Sequence, residues 1–269
     1  MSTVAATKTK DKMPLIQHNG LRYFQFDTLQ TRHAVFTRHG GVSPEPWGSL
    51  NVGGTVGDDL ERVKENRLIS FYALGRAPET AFEVWQVHSA DVVCARAPRP
   101  QGESLRQADI ILTDTHEVTL FMRFADCVPI LLHDPRKGVV GLAHAGWMGT
   151  LRNVATATIH AMQKQYDSNP ADIIAGIGPS IGPDHYQIGA DVILQVMQKY
   201  GDESEILLKS HNGKIHFDLW KANELLLERA GVGKIENAEI CTACHTEDWF
   251  SHRAEKGRTG RFGALISLQ

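Results

Sequence analysis

Apolar residues recur along the chain with two periods, and the switches between them outline its elements. After an apolar stretch over 15–26, a short β-rich run at 34–37 ends in Arg38-His-Gly-Gly-Val-Ser-Pro44, whose Gly-Gly pair and proline mark an irregular loop. From Asp59, the residues Leu60, Val63, Leu68 and Phe71 return near one face of a helix, which Gly75 ends. Short β-branched and aromatic runs then predict strands over 83–87, 91–95, 109–113, 118–124, 128–133 and 139–143, with an Asp134 to Gly138 turn joining the last two as a hairpin. Leu151, Val154, Ala155, Thr158, Ile159, Met162 and Tyr166 repeat at three and four residues and predict one helix over 150–166. A strand over 172–177 runs into Gly178-Pro-Ser-Ile-Gly-Pro183. Helices follow over 190–200 and 219–230, the latter capped by Asp218 and ended by Gly231, and then strands over 238–241 and 262–267. No repeat, low-complexity segment or linker interrupts the pattern, so the economical architecture is one mixed α/β domain.

Composition narrows the function. The 28 basic and 31 acidic side chains give a formal charge of -3 and no basic run, so nucleic acid is not expected as a partner. The polar, lysine-bearing start lacks a signal-peptide core, and nowhere do some eighteen apolar residues run together, so no membrane partner is expected. Cys94, Cys127, Cys241 and Cys244 are too few and too scattered for a disulfide framework, which points to a reducing, cytoplasmic setting.

Three soft-metal ligands stand where an extended run hands over to a turn: His88, Cys127 and His144. Two imidazoles and a thiolate make a first shell for Zn²⁺ with an open fourth position, as Lewis-acid or water-activating chemistry requires. For each residue taken singly, a hydrogen-bonded histidine or a small buried thiol is the favoured reading. Cys241-Thr-Ala-Cys244-His245 matches the haem-attachment pattern, but without an export signal two buried thiols at a strand end are the expectation.

The words around the three ligands are Trp85-Gln-Val-His88-Ser-Ala-Asp91, Ala125-Asp-Cys127-Val-Pro-Ile130 and Ala143-His144-Ala-Gly-Trp147. With Arg38-His-Gly-Gly-Val-Ser43, Ser49-Leu-Asn51, Glu65-Asn-Arg67, Gly178-Pro-Ser-Ile-Gly182, Phe250-Ser-His-Arg253 and Thr259-Gly-Arg261, the chain resembles the laccase-domain family. That family was first named multicopper polyphenol oxidases and later purine nucleoside phosphorylases. The resemblance runs from about Ala34 to the C-terminus. It implies an α+β fold of two mixed β-sheets packed face to face with helices outside, an α/β/β/α sandwich. A single catalytic domain over 15–269 would then follow a flexible tail over 1–14.

It further implies a metal at His88, Cys127 and His144, zinc or else copper, and substrates that are purine nucleosides and phosphate. The activities implied are phosphorolysis of adenosine, inosine and S-methyl-5'-thioadenosine, and deamination of adenosine. Arg38 is the first candidate for phosphate, because a guanidinium is a planar donor fork and Gly-Gly lets backbone approach an anion. Asn51 is a candidate for ribose or base, Asp126 for a proton relay or ligand orientation, and Trp147 for the wall of a base slot. Asp91 and Asp109 are further carboxylates for a general acid. The chain departs from the family at Met148, which stands where the familiar segment has Arg. Arg152, one turn on, can partly replace that charge. A monomer or weak homodimer is expected. Three other readings stay open: a hydrolase editing a peptidoglycan-precursor amide, a copper-dependent polyphenol oxidase, and a metal- or nucleotide-binding module without turnover.

Overall fold

The computed structural model describes residues 15–18 and 20–269, so the tail expected over 1–14 lies outside the described residues. In chain order the first half forms β1 (Leu15–His18), β2 (Leu21–Phe24), β3 (Arg32–Phe36), α1 (Leu60–Ala73), β4 (Ala81–Phe82), β5 (Val92–Cys94), β6 (Ile110–Thr113), β7 (Thr119–Phe124), β8 (Val128–Asp134) and β9 (Val139–Ala145). The second half adds α2 (Trp147–Leu151), α3 (Val154–Tyr166), β10 (Ile174–Ile177), α4 (Ala190–Tyr200), α5 (Ser204–Leu207), β11 (Leu208–His211), β12 (Lys214–Phe217), α6 (Leu219–Arg229), β13 (Lys234–Asn237) and β14 (Phe262–Ser267).

Two six-stranded sheets result, in the orders β1-β2-β3-β14-β7-β4 and β13-β10-β8-β9-β6-β5. Both are mixed: β4–β7, β10–β13 and β5–β6 are parallel pairs within otherwise antiparallel ladders. Their central strands, β6, β8, β9 and β14, are buried along their whole length because both faces are covered. In β8, Leu131 enters the layer between the sheets while Ile130 and Leu132 face the helices, and β6 divides Ile111 from Ile110 and Leu112 in the same way. The layer between the sheets joins Leu120, Met122, Phe124, Ala264 and Ile266 of one sheet to Leu131, Val140 and Leu142 of the other. Helices α2, α3, α4 and α6 cover the second sheet, and α1 packs through Phe71 on the outer face of the first. The molecule is thus a single-domain α+β fold, the four-layer sandwich that the resemblance implied.

Several expected elements differ. The run 83–87 is not a strand beyond an isolated bridge from Trp85 to Gln107, because its backbone bonds to side chains. The Val84 carbonyl accepts from Arg123 Nη2 at 2.6 Å, and the Val87 N–H donates to Asp109 at 3.1 Å. The helix expected over 150–166 is two helices, α2 and α3, broken where Asn153 takes φ of +64°. Residues Pro170–Asp172 form a short 3-10 turn before β10, and the strand expected over 238–241 lies earlier, as β13, because Glu239 adopts φ of +50°. The β11–β12 hairpin was not anticipated, although Asn212-Gly213, at φ +50° and +71°, is the dipeptide that such a turn favours.

Candidate active site

The β8–β9 ladder sets Val128 opposite Ala145 and Pro129 opposite His144, so Cys127, one residue before β8, lies beside His144 at one end of the sheet. His88 arrives from the irregular loop after β4 in the left-handed conformation, φ +59°, which an imidazole-bearing residue adopts only when its surroundings enforce it. The ligand atoms of His88, Cys127 and His144 lie within 4.8 Å of one another, and Cys127 Sγ is 3.8 Å from His88 Nε2. A Cβ on Gly146 would sit 2.8 Å from His88 Cδ2 and 3.0 Å from Cys127 Sγ. Glycine there keeps open the space in which the three donors converge. Two imidazoles and a sulfur with room between them suit a borderline divalent metal.

One buried carboxylate orients both imidazoles. Asp109 Oδ1 binds His144 Nδ1 at 2.8 Å, which leaves Nε2 as the nitrogen facing Cys127. Its Oδ2 accepts the Val87 N–H at 3.1 Å and the Ser89 N–H at 2.6 Å, the two amides that flank His88. Arg152 Nη1 donates to the His88 carbonyl at 2.8 Å, and Gln86 pairs twice with the Arg123 backbone, which ties the loop to β7. Burial opposes ionisation of Cys127, yet the charge of His144 and hydrogen bonds from His144 and His88 outweigh it and bring the thiol down to about 6. For His144 burial opposes the charged form, and the Cys127 thiolate with Asp109 reverses this, up to about 9. Without metal the pair is a thiolate–imidazolium pair, the form of Cys127 that metals bind.

These side chains form the floor of a cavity of about 590 Å³. Its wall carries Trp85, which is 45% exposed, and Tyr186. Its cations are Arg67, Arg123, Arg253 and Arg261, with His252 beside them. Glu83, buried, pairs with Arg123 at 3.0 Å, Arg67 at 3.3 Å and Arg99 at 3.5 Å. Arg253 and Arg261 bond to carbonyl oxygens instead, Arg253 to Gln187 at 2.8 Å and Arg261 to Gly260 at 2.8 Å.

The structure brings together His88, Cys127, His144 and Asp126, with Asp109 on His144 and Arg152 on the His88 carbonyl, and sets Arg38, Asn51, Trp147 and Asp91 outside the cavity lining. Asp126, at φ +85°, lines the cavity, but its carboxylate accepts from Thr242 Oγ1 at 2.8 Å and the Arg253 N–H at 2.7 Å, tying the ligand loop to the C-terminal segment. Arg38 is buried away from the cavity, its guanidinium bonded to the carbonyls of Gly48 and Thr246 and to Glu255 and lying over the Phe250 ring at 4.6 Å. It braces loops, and the arginines that line the cavity are Arg67, Arg123, Arg253 and Arg261. Asn51 is fully buried; its Oδ1 accepts from Gly53 and Arg261 and its Nδ2 donates to Asp58, so it shapes the cavity rim without lining it. Trp147 starts α2 and packs on the helix-side core, not in the cavity wall. Met148 also lies outside the cavity lining, and Asp91 is exposed outside it.

The residues that sequence reasoning passed over are Asp109 as orienter, Trp85 and Tyr186 as aromatics, and Arg253 and Arg261 as cations. Trp85, Arg67, Arg253 and Arg261 stand inside the quoted family words, which was the available signal.

Fold and site together define a class: an α/β/β/α sandwich with two histidines and a cysteine converging under an arginine-rich cavity. The chain belongs to the family described as multi-copper polyphenol oxidoreductase laccase, whose model matches residues 32–269. It is 38% identical over 250 residues to a purine nucleoside phosphorylase of Deinococcus radiodurans, covering 93% of this chain and 94% of that one. Among solved structures, a Bacillus licheniformis hypothetical protein, YfiH, superposes with a TM-score of 0.88 at 31% identity, covering 95% of this chain and 99% of that one. YlmD from Geobacillus stearothermophilus gives 0.87 at 34%, covering 95% and 98%.

Proposed function

We propose that this chain is a zinc-dependent purine nucleoside phosphorylase acting on adenosine, inosine and S-methyl-5'-thioadenosine, with the metal held by His88, Cys127 and His144. The observation that carries the reading is the joining, in one cavity, of that donor set to Arg253 and Arg261, whose guanidinium hydrogen bonds go to backbone carbonyls. A bound divalent metal would supply Lewis-acid polarisation at the floor. In phosphorolysis a phosphate oxygen bonds to the sugar C1′ as the bond from C1′ to the purine nitrogen breaks. Arg253, Arg261 and His252 hold the phosphate and lower the cost of bringing an anion to the carbon. Trp85 and Tyr186 offer flat faces for the departing purine. Asp109 keeps the proton on the far side of His144, so that its inner nitrogen is a donor of electrons.

Deamination of adenosine is a weaker use of the same site, since the usual zinc deaminase needs a carboxylate to carry protons. The carboxylates lining the cavity are committed, Glu83 to three arginines and Asp126 to Thr242 and Arg253. Polyphenol oxidation is weaker still, because the described residues offer one such donor group in the cavity, whereas four-electron reduction of oxygen takes several copper centres. One observation favours a second reading: Cys127, His144 and Asp109 stand in the order nucleophile, base and orienter, the arrangement of an amide hydrolase. The setting that fits both is cytoplasmic, supported by four free thiols, and the assembly proposed is a monomer or weak homodimer. Among the described residues, no helix is long and apolar enough to cross a membrane.

The test is a chromatographic time course of the zinc-quantified protein with adenosine, with and without phosphate, beside Cys127→Ala. Adenine and ribose-1-phosphate appearing only with phosphate, and lost in the variant, support the proposal. Phosphate-independent inosine replaces it with deamination. Turnover by a metal-free Cys127→Ala protein refutes the metal reading, and chelator-resistant cleavage of a peptidoglycan-precursor amide that needs Cys127 establishes the hydrolase.

A further inference from the structure

Cys241-Thr-Ala-Cys244 plays no part in the cavity chemistry, and the structure corrects the expectation of two buried thiols: Cys241 is buried and Cys244 exposed. Across from them the turn after Gly182 presents Asp184 and His185. The ligand atoms of these four residues lie within 4.8 Å of one another. His185 Nδ1 is 3.8 Å from Cys241 Sγ and 3.4 Å from Cys244 Sγ, and Asp184 Oδ2 is 3.1 Å from Cys244 Sγ and 3.0 Å from His185 Nδ1. A tetrahedral shell built from the usual zinc–sulfur, zinc–nitrogen and zinc–oxygen bonds has edges of roughly 3.4–3.8 Å. Four of the six separations lie within about 0.5 Å of such edges, and the remaining two do not exceed 4.8 Å.

The backbone is already arranged for that shell. Cys241 Sγ accepts the N–H of Gly182 at 3.2 Å, which holds the sulfur against the 182–186 turn. A Cβ on Gly182 would crowd the site, 2.7 Å from Asp184 Oδ1, 3.0 Å from Trp220 Cη2 and 3.1 Å from Cys241 Cβ. Its carbonyl accepts from His185 and Tyr186 at 3.0 Å each, which closes the turn that presents Asp184 and His185. Ser180 and Cys241 pair as a parallel bridge, with Thr242 N–H on the Ser180 carbonyl at 3.0 Å, so the two segments are fixed side by side.

We propose that Asp184, His185, Cys241 and Cys244 form a second, structural metal site, separate from the His88 group, that takes zinc or a similar borderline divalent ion with four protein ligands. Its position gives it a role. The residue after His185 is Tyr186, whose ring stacks with Arg253 at 5.1 Å, and both line the substrate cavity. Clamping the 182–186 turn to the 241–244 turn therefore sets the wall against which substrate binds.

The experiment is metal quantification per chain on protein purified under reducing conditions without chelator, for wild type, Cys244→Ser, Asp184→Asn and Cys127→Ala. Cys244 and Asp184 are exposed, so their variants remove ligands without opening the core. Two equivalents are expected in wild type, matching the two ligand groups, with the loss of one in Cys244→Ser and one in Cys127→Ala. Cobalt substitution adds a second readout: thiolate charge-transfer absorption should persist in Cys127→Ala and vanish when Cys244→Ser is added. A single equivalent that Cys127→Ala removes and Cys244→Ser leaves overturns the proposal, as does a Cys241–Cys244 disulfide in the freshly reduced protein. A single equivalent lost only with Cys244→Ser upholds it and instead refutes the His88 site.

Discussion

Asp109→Asn is the sharpest test of how the candidate active site is held, because one side chain serves two ligands. The carboxylate accepts three hydrogen bonds: from His144 Nδ1, at 2.8 Å, and from the N–H groups of Val87 and Ser89, at 3.1 and 2.6 Å. An asparagine has one oxygen and one NH₂. If the NH₂ faces His144, the imidazole must move its proton to Nε2, the nitrogen needed by the metal. If it faces Val87 and Ser89, two backbone N–H groups meet a donor and the His88 turn, already at positive φ, loses its anchor. The second orientation leaves buried donors opposed, at a cost of about 1–3 kcal/mol, and the first takes from Nε2 the lone pair that a metal would use. Loss of a partner of this kind weakens metal binding about 10–100-fold, or roughly 1.4–2.8 kcal/mol. Competition with a chromophoric chelator measures it, with circular dichroism confirming the fold. Asp109→Asn protein that holds its metal as tightly as wild type would refute the idea that this carboxylate sets both imidazoles.

Three further outcomes follow from the same geometry. In metal-free protein, capture of Cys127 by iodoacetamide should rise with pH through about 6 in place of the ordinary 9, because the thiol is depressed by His144 and His88. At pH 7 such a thiol is about 90% ionised instead of about 1%, but its lower basicity trims the rate advantage to roughly 3–6-fold; the position of the inflection is therefore the diagnostic, and an inflection near 9 would disprove the ion pair. Glu83→Gln removes the one carboxylate that Arg67, Arg99 and Arg123 share and should cost about 2–4 kcal/mol, lowering Tm by roughly 5–15 °C. Added phosphate should restore part of that loss in a thermal-shift assay, and an unchanged Tm counts against the network. Met148→Arg should leave the KM for phosphate within about 2-fold of wild type, a difference below about 0.4 kcal/mol, since position 148 does not line the cavity; a several-fold drop would show that the helix start reaches the anion.

Much of the sandwich was legible in the chain. β14 at Phe262–Ser267 and α4 at Ala190–Tyr200 coincide with the predicted runs, because each is a strongly patterned stretch packed on a large apolar surface. Short or interrupted elements were not: β4 and the 83–87 segment differ because side chains of Arg123, Gln86 and Asp109 take the backbone bonds that a neighbouring strand would have taken. The break at Asn153 between α2 and α3 was missed because helical periodicity continues across it.

The site divides in the same way. Residue type alone would not have singled out His88, Cys127 and His144 among 13 histidines, and the family words around them did. The roles of arginines were beyond that method. Arg38 and Arg253 read alike in sequence, yet one is bound to two carbonyls and Glu255 behind a loop while the other faces the cavity. Asp109 and Asp91 are equally plain carboxylates until folding buries one against His144 and leaves the other exposed. The sequence determined which elements form and which atoms are able to bind metal, because those depend on local pattern and on the donor each side chain carries. Only the tertiary structure decided which arginines line the cavity, which carboxylate orients which ring, and that Asp184 and His185 meet Cys241 and Cys244 across 56 residues, since those depend on what long-range packing brings within hydrogen-bond reach.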